Sequence, residues 1–369
     1  MTDKGKKGIS RDVVVIGAGI TGTIAAKKCA ERGMHTLLLE KCKLPRRKVC
    51  TGLIVSTMAQ TLITNEYGTI PNSAITDPPE IIGYQWHSPQ CGDERLEMKA
   101  IINAWRRELD YWMNQKAKGV GVEIWDETKA VSVIEGNDGI IVKIRRGNRE
   151  QDIQARFVVG ADGSASSMRR SLFPDLEVRY VSVYTECHPG SLRADRNYLH
   201  LFGSAQTKPN RDWFDVIHKK DCFLINTSSD LRSPRESNAI AKKMLAEGWG
   251  FDLKSKPLWT GGTIGPTLTQ ETRYGKFIPA KGNVLLAGYA AGMSTPSERG
   301  EGEAINMALK SGILAANSII KAADISHAAA PLYINELQKV LKVTRTIAAD
   351  ILFYTTHWTE RDKLLSTLI

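Results

Sequence analysis

Residues 12–40 constrain the fold more than any other stretch, because they carry the pattern of a nucleotide-binding β-α-β unit. The apolar residues 13–16 predict a parallel strand that is covered on both faces. The strand ends in the motif Gly17-Ala18-Gly19-Ile20-Thr21-Gly22. In such a motif the first glycine permits a tight turn, the second lets a pyrophosphate approach the backbone, and the third lets the next helix pack closely.

A second strand and an acidic residue complete this unit. A helix is predicted over 23–32, Gly33 ends it, and residues 36–39 predict the second buried strand. Glu40 follows, where a carboxylate can accept hydrogen bonds from both hydroxyls of an adenosine ribose. The whole pattern predicts a dinucleotide site; the alternative is a glycine-rich turn in some other α/β protein.

Length and composition indicate a globular α/β protein with more than one core. The chain has 369 residues, 42% hydrophobic and 24% charged, so two joined domains are expected. No apolar stretch approaches the ~18 residues that a membrane span requires. The polar, lysine-rich residues 1–10 do not resemble a secretory signal, so we expect a cytoplasmic protein, with peripheral membrane contact left open.

The net charge and the cysteine content limit the kinds of ligand and partner that are expected. The net charge of +10 indicates an anionic partner, such as the phosphates of a cofactor or substrate, or an acidic membrane surface. Nucleic acid is not expected, because the basic residues are dispersed without an aromatic-interleaved motif. The six cysteines form neither a C-x-x-C pair nor a zinc spacing, so neither a metal site nor a disulfide framework is predicted. The oligomeric state is left open.

A basic segment leads from Glu40 to a cysteine. Its basic cluster consists of Lys41, Lys43, Arg46, Arg47 and Lys48, and a phosphate-binding role and a solvated loop are both open for this cluster. Cys50, Thr51 and Gly52 follow. A cysteine beside a glycine in a basic loop has access to solvent and a reason for a lowered pKa.

The rest of the chain alternates helices and strands. A helix is predicted over 101–118, short strands over 61–100, and strands at 120–125, 130–135, 139–145 and 154–159. A last buried strand is predicted at 283–287 and a long helix over 303–321. An amphipathic helix is predicted over 331–352.

Four separated motifs match one group of flavoproteins. They are the glycine motif with Glu40, the R-x-x-L-D of 106–110, the G-A-D-G-S-A-S-S-M-R of 160–169 and the N-V-L-L-A-G-x-A-A-G of 283–292. Over residues 11–320 the chain resembles FAD-dependent oxidoreductases of the aromatic-hydroxylase superfamily, which carry these motifs in this order. Within that group, residues 48–52 resemble the K-x-C-G/T-G element of the geranylgeranyl reductase family.

The resemblance implies non-covalently bound FAD and assigns residues to it. The glycine motif would bind the pyrophosphate, Glu40 the ribose, and Arg106 the cofactor, with Arg107 as a competing choice. Cys50 would lie by the isoalloxazine. Ala130 and Val131 would lie at the adenine, and Asp162 and Gly163 near the phosphates and the ribityl chain. Tyr289 stands in place of the family's aspartate. The other cofactor residues would be Lys41, Arg47, Thr51, Gly52 and Gly288. Either Gly300 or Gly302 would approach the flavin.

The substrate pocket is expected in the strand-rich middle of the chain. Its candidates are Tyr184, His188, Trp213, Asp215 and His218. The segment 213–218 corresponds to an apolar strand in family members that act on prenyl chains. Polar residues at Asp215 and His218 therefore argue against a long isoprenoid.

The implied fold is α/β, with a Rossmann-like FAD-binding domain in three layers, interwoven with a mainly antiparallel substrate domain, plus C-terminal helices. The FAD-binding domain would comprise 1–60, 101–174 and 276–322. The substrate domain would comprise 61–100 and 175–275, and residues 323–369 would form the C-terminal helical segment.

The implied function is FAD-dependent reduction of a carbon–carbon double bond in a small or lipid-like substrate, with Cys50 as the catalytic residue. Flavin-dependent aromatic hydroxylation is one alternative. Another is a non-catalytic relative that binds FAD or a nucleotide. The electron donor is left open between NAD(P)H and a ferredoxin, so an electron-donor protein is a candidate partner.

Overall fold

The computed structural model describes residues 9–88, 92–136, 139–203, 212–229, 233–293 and 304–341. Its strands are β1 (Ile9–Ile16), β2 (Thr36–Leu39), β3 (Leu53–Ile54), β4 (Ile75–Ser88), β5 (Gly92–Ala104), β6 (Glu123–Trp125), β7 (Thr128–Gly136), β8 (Gly139–Arg146), β9 (Arg149–Gly160), β10 (Tyr180–Pro189), β11 (Tyr198–Gly203), β12 (Asp212–Lys219), β13 (Cys222–Ser229), β14 (Trp259–Pro266), β15 (Ala280–Lys281) and β16 (Val284–Leu286). Its helices are α1 (Ile20–Glu31), α2 (Thr57–Tyr67), α3 (Arg106–Gly119), α4 (Ser167–Leu172), α5 (Pro234–Trp249), α6 (Thr269–Arg273) and α7 (Ala304–Ile325), with a 3-10 turn at Gly288–Ala291 and further helix over 329–341.

The first sheet, sheet A, contains the predicted β-α-β unit. Strands β16, β9, β1, β2 and β6 lie side by side in that order, and all are parallel. Strands β7 and β8 continue from β9 as an antiparallel meander. Residues 13–16 and 36–39 are buried throughout, which explains why both strands are continuously apolar.

The second sheet, sheet B, has the strand order β14-β10-β13-β12-β11-β4-β5-β3. Its pairs are antiparallel except for β11 and β4. On one face Phe223 and Ile225 pack against Leu245 of α5. The opposite face packs Ile217 and Leu224 with Leu53. That second face lies toward the loops of sheet A.

Helix α1 joins the glycine motif to the rest of the nucleotide-binding domain, since it packs against β1, β2, α3 and α7. The contact with α7 is close at Gly312. A Cβ atom at Gly312 would lie 2.5 Å from Cγ2 of Ile24 and 2.6 Å from the carbonyl oxygen of Thr21. A glycine is therefore required where the two helices cross.

The predicted fold class is confirmed, and some predicted boundaries are wrong. Residues 101–104 end strand β5 instead of starting a helix, because they pair with β4 and β3. Residues 61–67 complete α2, and the short strands predicted up to 100 are the two long strands β4 and β5. Helix α1 begins at Ile20, three residues before the predicted start. The helix predicted over 331–352 is present up to 341, and the remainder lies outside the described residues.

The chain passes between the two sheets after β2, β5, β9 and β14. This interweaving agrees in kind with the predicted domain order, whose boundaries remain predictions. Among the helices within the described ranges, none combines the length and apolarity that crossing a bilayer requires.

Candidate flavin site

The glycine motif forms a tight turn between β1 and α1. Gly17 has a φ of +107°, and a Cβ atom there would collide with the backbone of Ala161. A Cβ atom on Gly22 would overlap the carbonyl oxygen of Gly17. Gly19 differs, because a Cβ atom there would meet only Nη2 of Arg46, at 3.3 Å. The backbone at Gly19 and the start of α1 at Ile20 therefore leave a space that suits a phosphate group.

Glu40 is buried at the end of β2, beside this turn. Its Oε2 accepts hydrogen bonds from the backbone N–H of Ala18 (3.1 Å) and from Nε of Arg46 (2.9 Å), and its Oε1 accepts from the N–H of Cys42 (3.0 Å). The carboxylate is thus fixed next to the glycine motif, where the ribose role was predicted.

Within the basic cluster, Arg46 is the side chain that lies at the glycine motif. Its Nη1 is 3.8 Å from Oδ2 of Asp110. The Arg47 guanidinium instead lies over the ring of Trp259 in β14, 5.1 Å from the ring centre. Lys41 is exposed. Arg47 thus contacts sheet B, and its phosphate contact remains a prediction.

Arg106, and not Arg107, is the buried arginine of the R-x-x-L-D motif. Its Nε donates to Oδ1 of Asp110 (2.8 Å) and its Nη2 to Oδ2 (3.2 Å), as residues one helical turn apart can. Arg107 is exposed and pairs with Glu108 at 2.7 Å. The motif therefore places one guanidinium, that of Arg106, in a fixed position at the site.

Cys50 is half-buried next to that guanidinium. Burial alone would raise the pKa of the Cys50 thiol, but Arg106, the backbone N–H of Gly52 and Lys48 together hold it below its ordinary value. The Gly52 N–H donates to Sγ at 3.4 Å. Burial and the neighbouring Arg106 in turn lower the pKa of Lys48. Cys50 is thus a thiol that ionises easily.

The Cys50 loop lies between the two sheets. A Cβ atom on Gly261 of β14 would collide with the side chain of Val49. Gly52 accepts a hydrogen bond from the N–H of Ala104 (3.2 Å) at the end of β5. Thr51 is half-buried between them. Cys50 is therefore held at the junction of the FAD-type domain and sheet B.

Tyr289 is close enough to Cys50 and Arg106 to interact electrostatically with both. Burial raises the pKa of Tyr289 to about 12, and the Cys50 thiol adds to this while Arg106 opposes it. Gly288 has a φ of +60°, and a Cβ atom there would collide with Thr21. The buried Arg169 donates to the carbonyl oxygens of Tyr289 (3.0 Å) and Ala290 (2.8 Å), which fixes this turn against the Gly-Ala-Asp-Gly loop.

Asp162 has one occupied and one open carboxylate oxygen. Its Oδ2 accepts from the backbone N–H groups of Ser167 (2.7 Å) and Met168 (3.2 Å) and so caps α4. Its Oδ1 is buried without a hydrogen-bond partner in the described part of the chain. A buried open acceptor suits a donor on a bound ligand. Gly163, with a φ of +84°, makes the following turn.

Val131 marks a break in the β7–β8 ladder. The pairing shifts register between Ala130 and Ser132, so Val131 is the extra residue of a β-bulge. A bulge leaves a residue out of the ladder and makes its backbone groups accessible to a ligand. This geometry is compatible with the predicted adenine contact at Ala130 and Val131.

Of the predicted substrate residues, only Asp215 is shown on the face of sheet B that lies toward Cys50. It accepts from Nδ2 of Asn226 (2.6 Å), whose Oδ1 accepts from Thr185 Oγ1 (2.6 Å). Lys219 lies on the same face, since alternate residues of a strand share a face. Its Nζ donates to the carbonyl oxygen of Ala104 at 2.8 Å.

Tyr184, His188 and His218 occupy the opposite face, toward α5, which corrects their predicted place in the pocket. His188 contacts Glu186 (2.9 Å), to which Tyr184 also donates (3.2 Å). Nε2 of His218 accepts from the N–H of Leu192 at 3.1 Å. Their strand positions differ by odd numbers from those of Thr185 and Asp215, so their side chains point the other way.

Three predicted residues cannot be placed. Gly300 and Gly302 lie outside the described residues, and so does the side chain of Trp213. Sequence reasoning missed Asn226 and Lys219. The signal for Lys219 was its even spacing from Asp215 in a predicted strand.

A family model matches the first part of the chain. Residues 10–185 match the family model described as FAD binding domain. That range contains the glycine motif, Glu40, Cys50, Arg106 and Asp162. The open space at Gly19 and the open Oδ1 of Asp162 fit such a cofactor. FAD is therefore the cofactor of this chain, and the domain that binds it is of the oxidoreductase type.

Individual relatives share most of the chain. Protein CbrA from Shigella flexneri serotype 5b (strain 8401) is 28% identical over 330 residues, which cover 86% of this chain and 84% of the relative. The crystal structure of a geranylgeranyl bacteriochlorophyll reductase-like protein from Thermoplasma acidophilum has a TM-score of 0.76 at 19% identity, and covers 90% of this chain and 83% of that one. The myxobacterial chondrochloren halogenase CndH has a TM-score of 0.70 at 16% identity, covering 94% and 82%. These structural likenesses show a shared fold.

Proposed function

We propose that this protein is an FAD-dependent oxidoreductase that reduces a carbon–carbon double bond in a small or lipid-like substrate. The observation that carries the proposal is the thiol of Cys50, which lies among Arg106, Lys48 and Tyr289 and faces sheet B. The likeness to the reductase-like protein of Thermoplasma acidophilum supports reduction as the reaction type.

The residues of the first domain would hold the cofactor. The space at Gly19 would receive the phosphates, Glu40 would bind the ribose, and the open Oδ1 of Asp162 would accept from the cofactor chain. In its bound, reduced form FAD supplies a hydride for one carbon of the double bond. Its electron donor would be NAD(P)H or a ferredoxin.

Cys50 would supply the proton for the second carbon. A hydride added to one carbon must be matched by a proton at the other, and an acid with a pKa near the working pH transfers it best. The lowered pKa of Cys50 brings its thiol toward that range. Sheet B would cover the substrate from the other side, with Asp215 as the polar contact.

Cys50→Ser tests this role, because serine nearly preserves the shape but ionises far outside the working range. In rapid-mixing experiments, reduction of the flavin by its donor should survive while reoxidation by an alkene substrate slows by about 100-fold, within the usual range for loss of an acid. Cys42→Ser, in the exposed part of the same loop, should change neither half-reaction. Reoxidation of Cys50→Ser at the wild-type rate would exclude the catalytic role.

Oxygen dependence separates reduction from hydroxylation. Reduced, FAD-bound protein mixed with a panel of short enones and isoprenoid alkenes under anaerobic conditions should reoxidise and yield the saturated product. A hydroxylase would turn over only with oxygen. Strict dependence of product formation on oxygen would therefore overturn the proposed reaction.

A further inference from the structure

We propose that Lys219 is the proton source behind Cys50, and that the two residues form one ammonium–thiolate pair across the junction of the domains. The proposal rests on the function proposed above and extends it to the second sheet. Lys219 is a fully buried lysine at the end of β12. A buried charge normally requires an opposite charge or a specific function.

The polar contacts of Lys219 are fixed but neutral. Its Nζ donates to Oδ1 of Asn103 (2.6 Å) and to the carbonyl oxygen of Ala104 (2.8 Å), and it lies 4.8 Å from the ring centre of Trp105. The Asn103 amide donates to the carbonyl oxygens of Pro78 and His218, which orients its Oδ1 toward the ammonium. Within the described part of the chain, no ion pair joins Nζ to a carboxylate.

Gly52 lies between the ammonium and the Cys50 thiol. A Cβ atom on Gly52 would lie 3.4 Å from Nζ of Lys219, and the N–H of Gly52 donates to Sγ of Cys50 at 3.4 Å. Nζ of Lys219 and Sγ of Cys50 therefore both lie next to the backbone of Gly52. Lys219 therefore approaches Cys50 from sheet B, while Arg106 approaches it from α3.

Cys50 is the thiol that we assign as the counter-ion. The titratable groups around Lys219 are Cys50, Cys187 and Cys222. The S–H of Cys222 can donate to the carbonyl oxygen of Lys219 (3.1 Å), and contact with Cys187 together with the charge of Lys219 lowers the pKa of Cys222. Contact with Cys222, followed by burial, raises the pKa of Cys187. Of these three, Cys50 is the one whose sulfur lies against a fixed guanidinium.

The titration of Lys219 supports this assignment. Burial lowers the pKa of Lys219 to about 7, although the three thiols oppose the shift. The ammonium can therefore lose and regain a proton near neutral pH, as a proton donor must.

Proton transfer from Lys219 through Cys50 to the substrate conserves protons and charge. A proton leaves an N–H bond of Lys219 and reaches Cys50 through water, where the S–H bond forms, which leaves a neutral amine and a thiol. The S–H bond then breaks as a C–H bond forms at the substrate carbon next to the one that received the hydride. The Lys219 amine regains its proton from water. Cys50 touches the substrate, and Lys219 acts through Cys50.

The pair can be tested without a substrate, through the pH dependence of Cys50 alkylation in the FAD-bound protein. Iodoacetamide labelling would be followed for each cysteine by peptide mass spectrometry, with exposed Cys42 as the internal reference. In Lys219→Met the apparent pKa of Cys50 should rise by about one unit, because an opposite charge at short range shifts a pKa by ~1–3 units. Lys220→Met, at the neighbouring exposed lysine, should leave the profile unchanged.

Lys219→Arg separates the effect of the positive charge from the supply of a proton. It also tests the proposal if Lys219→Met does not fold. Arginine keeps the positive charge but does not titrate near neutrality, so the low pKa of Cys50 should remain while the inflection near pH 7 disappears. A Lys219→Met profile identical to wild type, or an inflection near pH 7 that persists in Lys219→Arg, would overturn the pair. If both variants behave as expected but no alkene is reduced, the pair stands and the proposed reaction fails.

Discussion

Gly19 is the position where the absence of a side chain should matter most for cofactor binding. Its backbone is extended (φ −84°, ψ −178°), so valine is sterically allowed there. A Cβ atom at this position meets only the flexible end of Arg46. Gly19→Val should therefore fold normally and still lose FAD, because its methyl groups would occupy the space of the pyrophosphate.

The ratio of flavin absorbance to protein absorbance in the purified variant measures this outcome. Gly248→Val is the matched control, since a Cβ atom at Gly248 on α5 meets nothing within 4 Å, and it should retain FAD. A Gly19→Val protein with the wild-type flavin content would show that the phosphates bind elsewhere.

Tyr289 occupies the position at which the resembling family carries aspartate. Tyr289→Asp should tighten FAD binding by about tenfold, equivalent to ~1.4 kcal/mol, because a carboxylate is a stronger acceptor for a ribityl hydroxyl than a phenol. Fluorescence titration of the apoprotein gives the dissociation constant. Tyr289→Asn introduces a neutral side chain of the same size as aspartate, and it should increase the affinity for FAD by less. Weaker binding in Tyr289→Asp would indicate that this turn holds the flavin differently.

Individual side chains show what a sequence can and cannot predict about such a site. The choice of Arg106 over Arg107 agrees with its burial, because a motif one helical turn long fixes which arginine meets Asp110. The sequence could not choose between Arg46 and Arg47, because in an irregular loop no periodicity tells which of two adjacent side chains faces the ligand. Strand alternation shows that Asp215 and His218 lie on opposite faces of the sheet. It does not show which of the two residues faces the cofactor.

The crossing of α1 and α7 should respond sharply to added volume. Gly312→Ala would place a methyl group within 2.6 Å of the Thr21 carbonyl oxygen, so the helices must separate and move the start of α1. We expect unfolding to become easier by ~1–3 kcal/mol, the usual range for overpacking, together with weaker FAD binding. Urea denaturation of the apoprotein and flavin titration measure the two effects.

Gly248→Ala in α5 is the appropriate comparison for that change. It also replaces a helical glycine, but in open space, and should stabilise the protein by ~0.5–1 kcal/mol. Equal effects of the two substitutions would mean that the α1–α7 contact does not constrain the glycine motif.

The sequence predicted secondary structure best where burial on both faces makes the apolar pattern of a strand continuous. Strands β1 and β2 are apolar throughout because parallel neighbours and helices cover both faces. The failure at 101–104 has the opposite origin. Ile101 and Ile102 continue the apolar spacing of α3 into strand β5, and pairing with β4 and β3 overrides that pattern.

Acid should destabilise the folded protein through two buried imidazoles. Burial lowers the pKa of His200 and of His218 to about 4 each, compared with about 6.5 in an unfolded chain. Between these values the unfolded chain binds more protons, so the free energy of unfolding falls as pH drops from about 6.5 to about 4. Each ring can contribute up to about 3 kcal/mol to that loss.

Unfolding by urea across this pH range measures the slope. His218→Gln removes one titrating ring and should flatten it by about half, if the two rings contribute equally. His35→Gln, at an exposed position, should leave it unchanged. A stability that stays constant from pH 6.5 to 4 would show that both rings keep an ordinary pKa in the folded state.

The repeated passage of the chain between the sheets has a consequence for recombination and for protein engineering. Sheet B takes its strands from separate stretches, with β3 to β5 in one and β10 to β14 in another. A crossover that exchanges one stretch would leave the receiving sheet with strands from two parents. New substrate preferences should therefore arise in such chains through point substitutions on the face of Asp215 and Lys219, more readily than through exchange of a contiguous cassette.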